Sequence, residues 1–275
     1  MPEAANAAAK AAGGEAHLLD YSLETRALSV RFGGHVAVDA VSCGFRRGTL
    51  TAIVGPNGAG KTTYFNLISG QIRPTAGQVL LEGRDITTMR ASRRAHAGIG
   101  RAFQLTNLFP NLTVTENIRL VLQSRAHLGI DMWRLWDRRK NLLDRTEQIL
   151  EMVSLQHRRE KHAAVLSHGD QRKLEVGMLI ALDPEIYMFD EPTAGMSVDE
   201  VPVILDLIRA LKKRSGKTVL LVEHKMDVVR ELADRIMVLH NGALVADGDP
   251  ETVIALPVVQ QAYLGIAPSQ AEGCA

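Results

Sequence analysis

A glycine-rich run that ends in lysine and two threonines constrains this chain more than any other feature. The phosphate-binding pattern G-x-x-x-x-G-K-[ST] is met at every fixed position by Gly55-Pro56-Asn57-Gly58-Ala59-Gly60-Lys61-Thr62-Thr63. The preceding residues 50–54 form a short apolar run typical of a buried strand, and residues 64–68 favour a helix. This context of strand, loop and helix predicts an α/β fold that binds a nucleoside triphosphate at the loop.

The residue types in this loop suit phosphate chemistry. Glycines let the backbone wrap closely around phosphate oxygens, which then meet N–H groups and the positive end of a helix. Lys61 is expected to reach the β- and γ-phosphates, and the Thr62 hydroxyl is expected to hold Mg²⁺. An ordinary glycine-rich turn is the alternative, and the flanking strand and helix argue against it.

A second candidate site follows another apolar run. Residues 186–189 are hydrophobic and lead into Asp190 and Glu191, as expected of a buried parallel strand that delivers two carboxylates at its carboxyl end. Asp190 suits Mg²⁺ coordination through water, and Glu191 suits a base that polarises an attacking water. Because neighbouring residues of a strand face opposite sides, we expect the two carboxylates to have different roles. The alternative is an acidic pair that caps a turn before Pro192.

A third segment indicates a family. Leu166-Ser167-His168-Gly169-Asp170-Gln171 resembles the LSGGQ signature of ATP-binding-cassette (ABC) ATPases. The family's other elements occur in the expected order, namely an aromatic residue at Phe32, a Q-loop glutamine at Gln104, a D-loop at residues 194–197 and a switch histidine at His224. The resemblance extends from about Leu18 to Gly265. Each later motif alone is weak, whereas their joint order is specific.

The resemblance implies a role for each matching position in its own subunit. Phe32 would stack on the adenine ring, and the loop from Gly55 to Thr63 would cradle the phosphates. Gln104 would contact Mg²⁺ or the lytic water, and His224 would contact the γ-phosphate. The catalytic group is then Glu191 with these two side chains, and the metal group is Thr62, Gln104 and Asp190.

The resemblance also implies a dimer. Ser167, Gly169 and Gln171 are assigned to nucleotide binding in the opposite subunit, because the family places each ATP between one chain's phosphate-binding loop and the other chain's signature. With one copy of each motif, a single chain is not expected to complete a site. Two positions depart from the family pattern, namely His168 in place of the usual glycine and Lys225 where an acidic residue is common. Neither departure removes a catalytic group.

Composition excludes several other classes of protein. With 275 residues, 46% of them hydrophobic, the chain can build a large core. A net charge of +1 gives no general field for polyanions, so we expect no nucleic-acid partner. Two cysteines cannot form a disulfide framework. No apolar run approaches the roughly 18–20 residues that a membrane-spanning helix requires.

The predicted organisation is one ABC ATP-binding domain over residues 20–265 between tails at 1–19 and 266–275. Alternating hydrophobicity from Leu28 to Phe45 favours an antiparallel β lobe beside a mostly parallel core sheet. From about residue 105 to 168 the periodicity becomes helical, beginning with a capping box at Thr113 and Glu116. By resemblance this is the helical subdomain that meets transmembrane subunits. Trp133 and Trp136 fall within it, as core residues or, less favoured, as a partner contact.

The phrase Asp190-Glu191-Pro192-Thr193-Ala194-Gly195-Met196 and the ending Ala262-Tyr263-Leu264-Gly265 are similar to the ATPase subunits of bacterial importers for branched-chain amino acids and related small polar solutes. That resemblance implies ATP and Mg²⁺ as ligands, a second ATPase subunit, identical or paralogous, and two permease subunits served by a periplasmic solute-binding protein. It also implies a peripheral position on the cytoplasmic face of the bacterial inner membrane. The alternative is the ATPase subunit of an envelope-lipid exporter; a soluble cassette without a transport role and a small-molecule kinase are less favoured.

Overall fold

The computed structural model describes residues 21–102, 108–125, 140–213 and 216–264. Gln104, Trp133 and Trp136 lie outside the described residues, as do the predicted tails. The strands are β1 Tyr21–Phe32, β2 His35–Arg46, β3 Leu50–Val54, β4 Ala76–Leu81, β5 Arg84–Asp85, β6 Ile99–Ala102, β7 Ile186–Asp190, β8 Thr218–Val222, β9 Arg235–His240 and β10 Ala243–Gly248. The α-helices are α1 Lys61–Ser69, α2 Ala91–His96, α3 Val114–Arg125, α4 Lys140–Met152, α5 His168–Leu182, α6 Val201–Lys212, α7 Met226–Leu232, α8 Pro250–Ile254 and α9 Pro257–Leu264.

The core is a six-stranded sheet in the order β10-β9-β3-β8-β7-β6. All neighbours are parallel except β10 and β9, which form a hairpin. Every residue of β3, β7 and β8 is buried, as expected of parallel strands covered on both faces. Because β3, β7 and β8 run in one direction, the segments that follow them leave the sheet at the same edge. The mostly parallel core sheet predicted from the sequence is confirmed.

A second, antiparallel sheet has the order β2-β1-β4-β5. Its long strands alternate apolar and polar residues, and the apolar set, including Leu23, Leu28 and Phe45, is wholly buried with residues of α1. This is the predicted antiparallel lobe. The sheet carries the end of β1, and therefore Phe32, towards the start of α1.

Helices α3, α4 and α5 form the helical part of the chain. The predicted capping box starts α3, because the Thr113 backbone N–H donates to Glu116 at 2.8 Å and the Glu116 backbone N–H donates to Thr113 Oγ1 at 3.2 Å. Gly177 of α5 lets the helices approach closely, since a Cβ there would lie 3.3 Å from Ile118 and 3.4 Å from Ile149. This packing sets the position of the amino-terminal end of α5.

The hairpin between β9 and β10 turns at Asn241 and Gly242, which have φ values of 49° and 79°. Both residues need positive φ in the tight turn that matches strand twist, so the sequence Asn-Gly suits it. Gly242 also contacts the phosphate-binding loop, because its N–H donates to Ala59 O at 3.1 Å. Within the described ranges, no helix has the length and apolar character needed to cross a membrane.

Candidate active site

The phosphate-binding loop joins β3 to α1 and needs glycine at two positions for measurable reasons. Gly60 has φ 96°, and a Cβ there would lie 2.5 Å from Ala37 O. Gly55 has φ 156°, and a Cβ there would lie 2.2 Å from Leu239 O. Neither position can accept a side chain without moving backbone, so these glycines set the shape of the loop.

Lys61 begins α1 and folds back over the loop. Its ammonium group donates to Gly55 O at 2.7 Å and to Pro56 O at 2.9 Å, and the residue is only 7% exposed. Burial lowers the pKa of Lys61, while the negative charges of Glu191 and Asp190 act against that shift. The cation is therefore held at the loop, where phosphate oxygens are expected.

A cleft of about 410 Å³ opens over the loop. It is lined by Phe32, His35, Ala37, the residues from Asn57 to Thr63, and Glu191. The structure thus brings the predicted adenine-stacking residue, the predicted phosphate ligands and the predicted base to one cavity. Phe32 is 51% exposed, so its ring is available for stacking.

Asp190 ends β7, next to the cleft-lining Glu191, and forms a buried ion pair that was not predicted from the sequence. The guanidinium of Arg101, on β6, donates to Asp190 Oδ2 at 2.7 Å, and the two side chains are 5% and 0% exposed. The same guanidinium donates to Asn66 Oδ1 of α1 at 2.6 Å. Burial lowers the pKa of Arg101, and the Asp190 carboxylate opposes this. The sequence feature that could have pointed to this ion pair is a charged residue, Arg101, within the otherwise uncharged segment 99–102.

The second carboxylate oxygen of Asp190 fits a metal. Among the described residues, Asp190 Oδ1 is buried and accepts no hydrogen bond, a state that buried polar atoms rarely occupy without a ligand. The hydroxyl-bearing Thr62 lines the cleft next to Lys61, whose pKa the negative charge of Asp190 affects. A carboxylate oxygen and a hydroxyl are ligands of the type that Mg²⁺ takes, with water completing its shell. The donor set therefore fits Mg²⁺; Gln104, the third predicted metal contact, lies outside the described residues.

Glu191 has a different geometry from the one expected. The strand ends at Asp190, and Glu191 has φ 49°, so the two carboxylates do not alternate across one strand. For a residue that carries a Cβ, the left-handed backbone conformation costs about 1–2 kcal/mol. Such a conformation persists only where the surrounding structure imposes it. One restraint is the Glu191 N–H, which donates to Val222 O at 2.9 Å. The backbone turn separates the two carboxylates and leaves Glu191 lining the cleft.

His224 follows β8, at the edge of the sheet where the other two sites lie. Its side chain is 52% exposed, and its Nδ1 is 3.5 Å from Oε1 of Glu223, whose side chain is wholly buried. The Glu223 carboxylate also accepts the backbone N–H groups of His224 at 3.0 Å and Lys225 at 3.2 Å. Glu223 has no role predicted from the sequence, although it is an acidic residue directly after an apolar strand.

The signature residues occupy the amino-terminal end of α5. Ser167 caps the helix, and its hydroxyl accepts the Asp170 N–H at 3.2 Å. Gly169 permits the approach of Glu200, whose carboxylate oxygen would lie 2.2 Å from a Cβ. The Gln171 side-chain amide donates to Ala163 O and Leu166 O, each at 3.3 Å, and so fastens the preceding segment. His168 has helical backbone angles and is exposed.

None of the three predicted signature contacts, Ser167, Gly169 and Gln171, lines the cleft that contains Lys61 and Glu191. The chain therefore presents a phosphate-binding loop and a signature helix as separate surfaces. Their roles in nucleotide binding stay predictions, as do those of His224 and the residues of the cleft.

Comparisons with known proteins agree with this arrangement. The family model described as "ABC transporter" matches residues 38–194. The high-affinity branched-chain amino acid transport ATP-binding protein LivG of Salmonella typhimurium is 36% identical over 250 residues, covering 89% of this chain and 98% of LivG. The protein of the same description from Pseudomonas aeruginosa, BraF, is 37% identical over 254 residues, with the same two coverages.

Solved structures give the same result. A nucleotide-free ATP-binding cassette from an ABC transporter superposes with a TM-score of 0.75 at 29% identity, covering 90% of this chain and 100% of that one. The ADP conformation of an ABC transporter cassette gives 0.74 at 30% identity, with coverages of 90% and 99%. The sequence matches, the architecture and the assembled phosphate-binding cleft together show that this chain belongs to the ABC transporter family and is one of its ATP-hydrolysing cassettes.

Proposed function

We propose that this chain is the ATPase subunit of a membrane importer for branched-chain amino acids or a related small polar solute. The observation that carries the proposal is the likeness to LivG and BraF over 89% of this chain and 98% of each relative, because both are described as branched-chain amino acid transport proteins. In this proposal the chain sits peripherally on the cytoplasmic face of a bacterial inner membrane.

The chemistry we propose is hydrolysis of the γ-phosphate. Glu191 accepts a proton from the attacking water, while Lys61 and the N–H groups of the loop hold the β- and γ-phosphates. Water bonds to the γ-phosphorus, the bond to the bridging oxygen breaks, and ADP and phosphate leave. His224 contacts the γ-phosphate from the neighbouring edge of the sheet. Mg²⁺, held by Thr62 and Asp190 with water, would neutralise charge on the phosphate oxygens.

The proposed working unit is a dimer of cassettes. Ser167 and the first N–H groups of α5 suit an anion, because a helix amino terminus carries partial positive charge and free donors. In the described residues of one chain these groups lie outside the cleft that holds Lys61. A second cassette, identical or paralogous, would bring its signature helix to the γ-phosphate.

We propose that the permease subunits dock in an apolar groove between α3 and α5. The groove is about 460 Å³ in volume and is lined by Leu108, Phe109, Leu120, Val121, Met178 and Leu182, among others. Phe109 is 49% exposed and Leu120 is 36% exposed, and both lie in this one groove, as expected of a contiguous apolar surface that a partner covers. Arg101 also lines the groove, so this surface lies directly beside the Asp190 ion pair. An amphipathic helix of a permease fits such a groove.

The test of the proposal is purification of the tagged full-length chain from the membranes of its host. We expect two permease proteins to co-purify. In proteoliposomes, the complex should import radiolabelled leucine when its solute-binding protein and ATP are supplied. Glu191→Gln should abolish uptake while leaving the complex assembled. Absence of a permease from the complex, or export of lipid with no solute uptake, would refute the importer assignment.

A further inference from the structure

Glu223 is a buried carboxylate whose described contacts all lead to the segments that carry the base and the switch histidine. Its side chain is 0% exposed at the end of β8. Oε1 accepts the N–H groups of His224 at 3.0 Å and Lys225 at 3.2 Å, and Oε2 accepts the Thr193 hydroxyl at 3.1 Å. Burying a carboxylate is costly unless donors compensate, and these three donors do so.

These bonds join two parts of the site that are distant in sequence. Thr193 lies two residues after Glu191, and Glu191 is itself tied to β8 because its N–H donates to Val222 O at 2.9 Å. One carboxylate therefore fastens the segment that carries the base to the loop that carries the switch histidine. A shift of either segment would break a charge-assisted hydrogen bond in a dry environment, where such bonds are strong.

Glu223 also faces the imidazole itself. The 3.5 Å separation between Oε1 and Nδ1 of His224 places the carboxylate at one edge of the ring. At this distance the carboxylate acts on the ring through its negative charge, while its hydrogen bond goes to the His224 backbone N–H.

We propose that Glu223 is a positioning residue for ATP hydrolysis, which holds His224 and the segment after Glu191 in one fixed arrangement. This inference rests on the proposed contact of His224 with the γ-phosphate. Glu223 does not touch the nucleotide, so its loss should lower the hydrolysis rate and not ATP binding.

The test compares two substitutions of Glu223. Glu223→Ala removes the anchor. Glu223→Gln preserves it, because the amide oxygen can still accept both backbone N–H groups and the amide nitrogen can donate to Thr193 Oγ1. In steady-state ATP turnover by the full-length chain, we expect Glu223→Ala to lower kcat by about tenfold or more with KM within about twofold. Glu223→Gln should recover kcat to within about threefold of the parent protein.

A double-mutant cycle separates positioning from a general loss of stability. In a His224→Ala background, Glu223→Ala should lower kcat by no more than about threefold, because only the anchor to the base segment through Thr193 is then left to lose. Full additivity in that background, or parent kcat in Glu223→Ala, would overturn the inference. Parent kcat in His224→Ala alone would instead refute the proposed role of His224.

A third variant keeps the test usable if Glu223→Ala does not fold. Thr193→Val removes only the hydroxyl that bonds Oε2, and its kcat should fall about threefold at unchanged KM. Unchanged kcat for Thr193→Val in that case would count against the inference, because the bond between Glu223 and the base segment would then not matter for hydrolysis. A thermal melting curve of each variant, recorded from below to above the assay temperature, shows whether the variant is folded when its rate is measured.

Discussion

The buried ion pair between Arg101 and Asp190 offers a quantitative test of the site's architecture. Arg101→Met keeps most of the side-chain volume but leaves the Asp190 carboxylate in a buried position without the partner that now lies 2.7 Å away. Removing one partner of a buried pair typically costs about 3–5 kcal/mol, because the remaining charge is uncompensated. The lost bond to Asn66 Oδ1 falls within the same range. We expect Arg101→Met to lower the free energy of unfolding by about 3–5 kcal/mol.

Asp190→Asn removes the charge at nearly constant shape, so Arg101 keeps its bonds to Asn66 and Ser69. We expect a comparable loss of about 3–5 kcal/mol, because the buried Arg101 cation then has no counter-charge. The double variant should be about 2 kcal/mol more stable than the sum of the single losses predicts, since the charge that Arg101→Met strands is then absent. This coupling free energy belongs to the pair itself.

The assay is urea unfolding without nucleotide or Mg²⁺, with transition midpoint and slope compared among variants. Arg159→Met is the matched control, because Arg159 pairs with Glu147 at 3.3 Å but both side chains are half exposed. That variant should lose less than about 1 kcal/mol. We expect burial to make this ion pair contribute more to stability than an exposed pair does. This expectation would be refuted if Arg101→Met lost no more unfolding free energy than the control, or if its loss and that of Asp190→Asn were strictly additive.

Four further predictions address the cleft and the core. Lys61→Ala should lose most ATP affinity, whereas Glu191→Gln should bind ATP and elute as a dimer in gel filtration with Mg-ATP. If Glu191→Gln hydrolysed ATP at the parent rate, Glu191 would be excluded as the base. Phe32→Ala should weaken ATP binding by about 1–2 kcal/mol in titration calorimetry, with the comparably exposed Phe109→Ala, which lies outside the cleft, unchanged. Because Glu191 has φ 49°, Glu191→Asn should raise the unfolding free energy by about 0.5–1 kcal/mol relative to Glu191→Gln, since asparagine tolerates that conformation, while both variants lose turnover. Burial raises the pKa of the Cys43 thiol to about 12. In a Cys274→Ser background, iodoacetamide at pH 8 should therefore modify Cys43 only after unfolding. The free energy of unfolding should also fall as the pH rises above about 8.5, because the thiol then ionises in the unfolded state and not in the folded state.

The sequence by itself determined the features that short-range chemistry controls. The phosphate-binding loop follows from adjacent residues, as do the capping box at Thr113 and the turn at Asn241-Gly242, because each uses hydrogen bonds or φ values within a few positions. The apolar run at residues 186–189 located β7, and the joint order of motifs indicated the family. The predicted α/β architecture with an antiparallel lobe and a helical part is confirmed.

Tertiary structure decided what depends on the register of distant strands. Arg101 and Asp190 meet only because β6 and β7 pair in parallel, and Glu223 reaches Thr193 only because β8 lies beside β7. The left-handed turn at Glu191 is likewise imposed by the carbonyl of Val222 on the neighbouring strand. Spacing along the chain carries no information about which side chains face one another across a sheet edge. For that reason the sequence located the candidate carboxylates Asp190 and Glu191, whereas only the fold revealed that Arg101 pairs with Asp190 and that Glu223 bonds to the segment after Glu191.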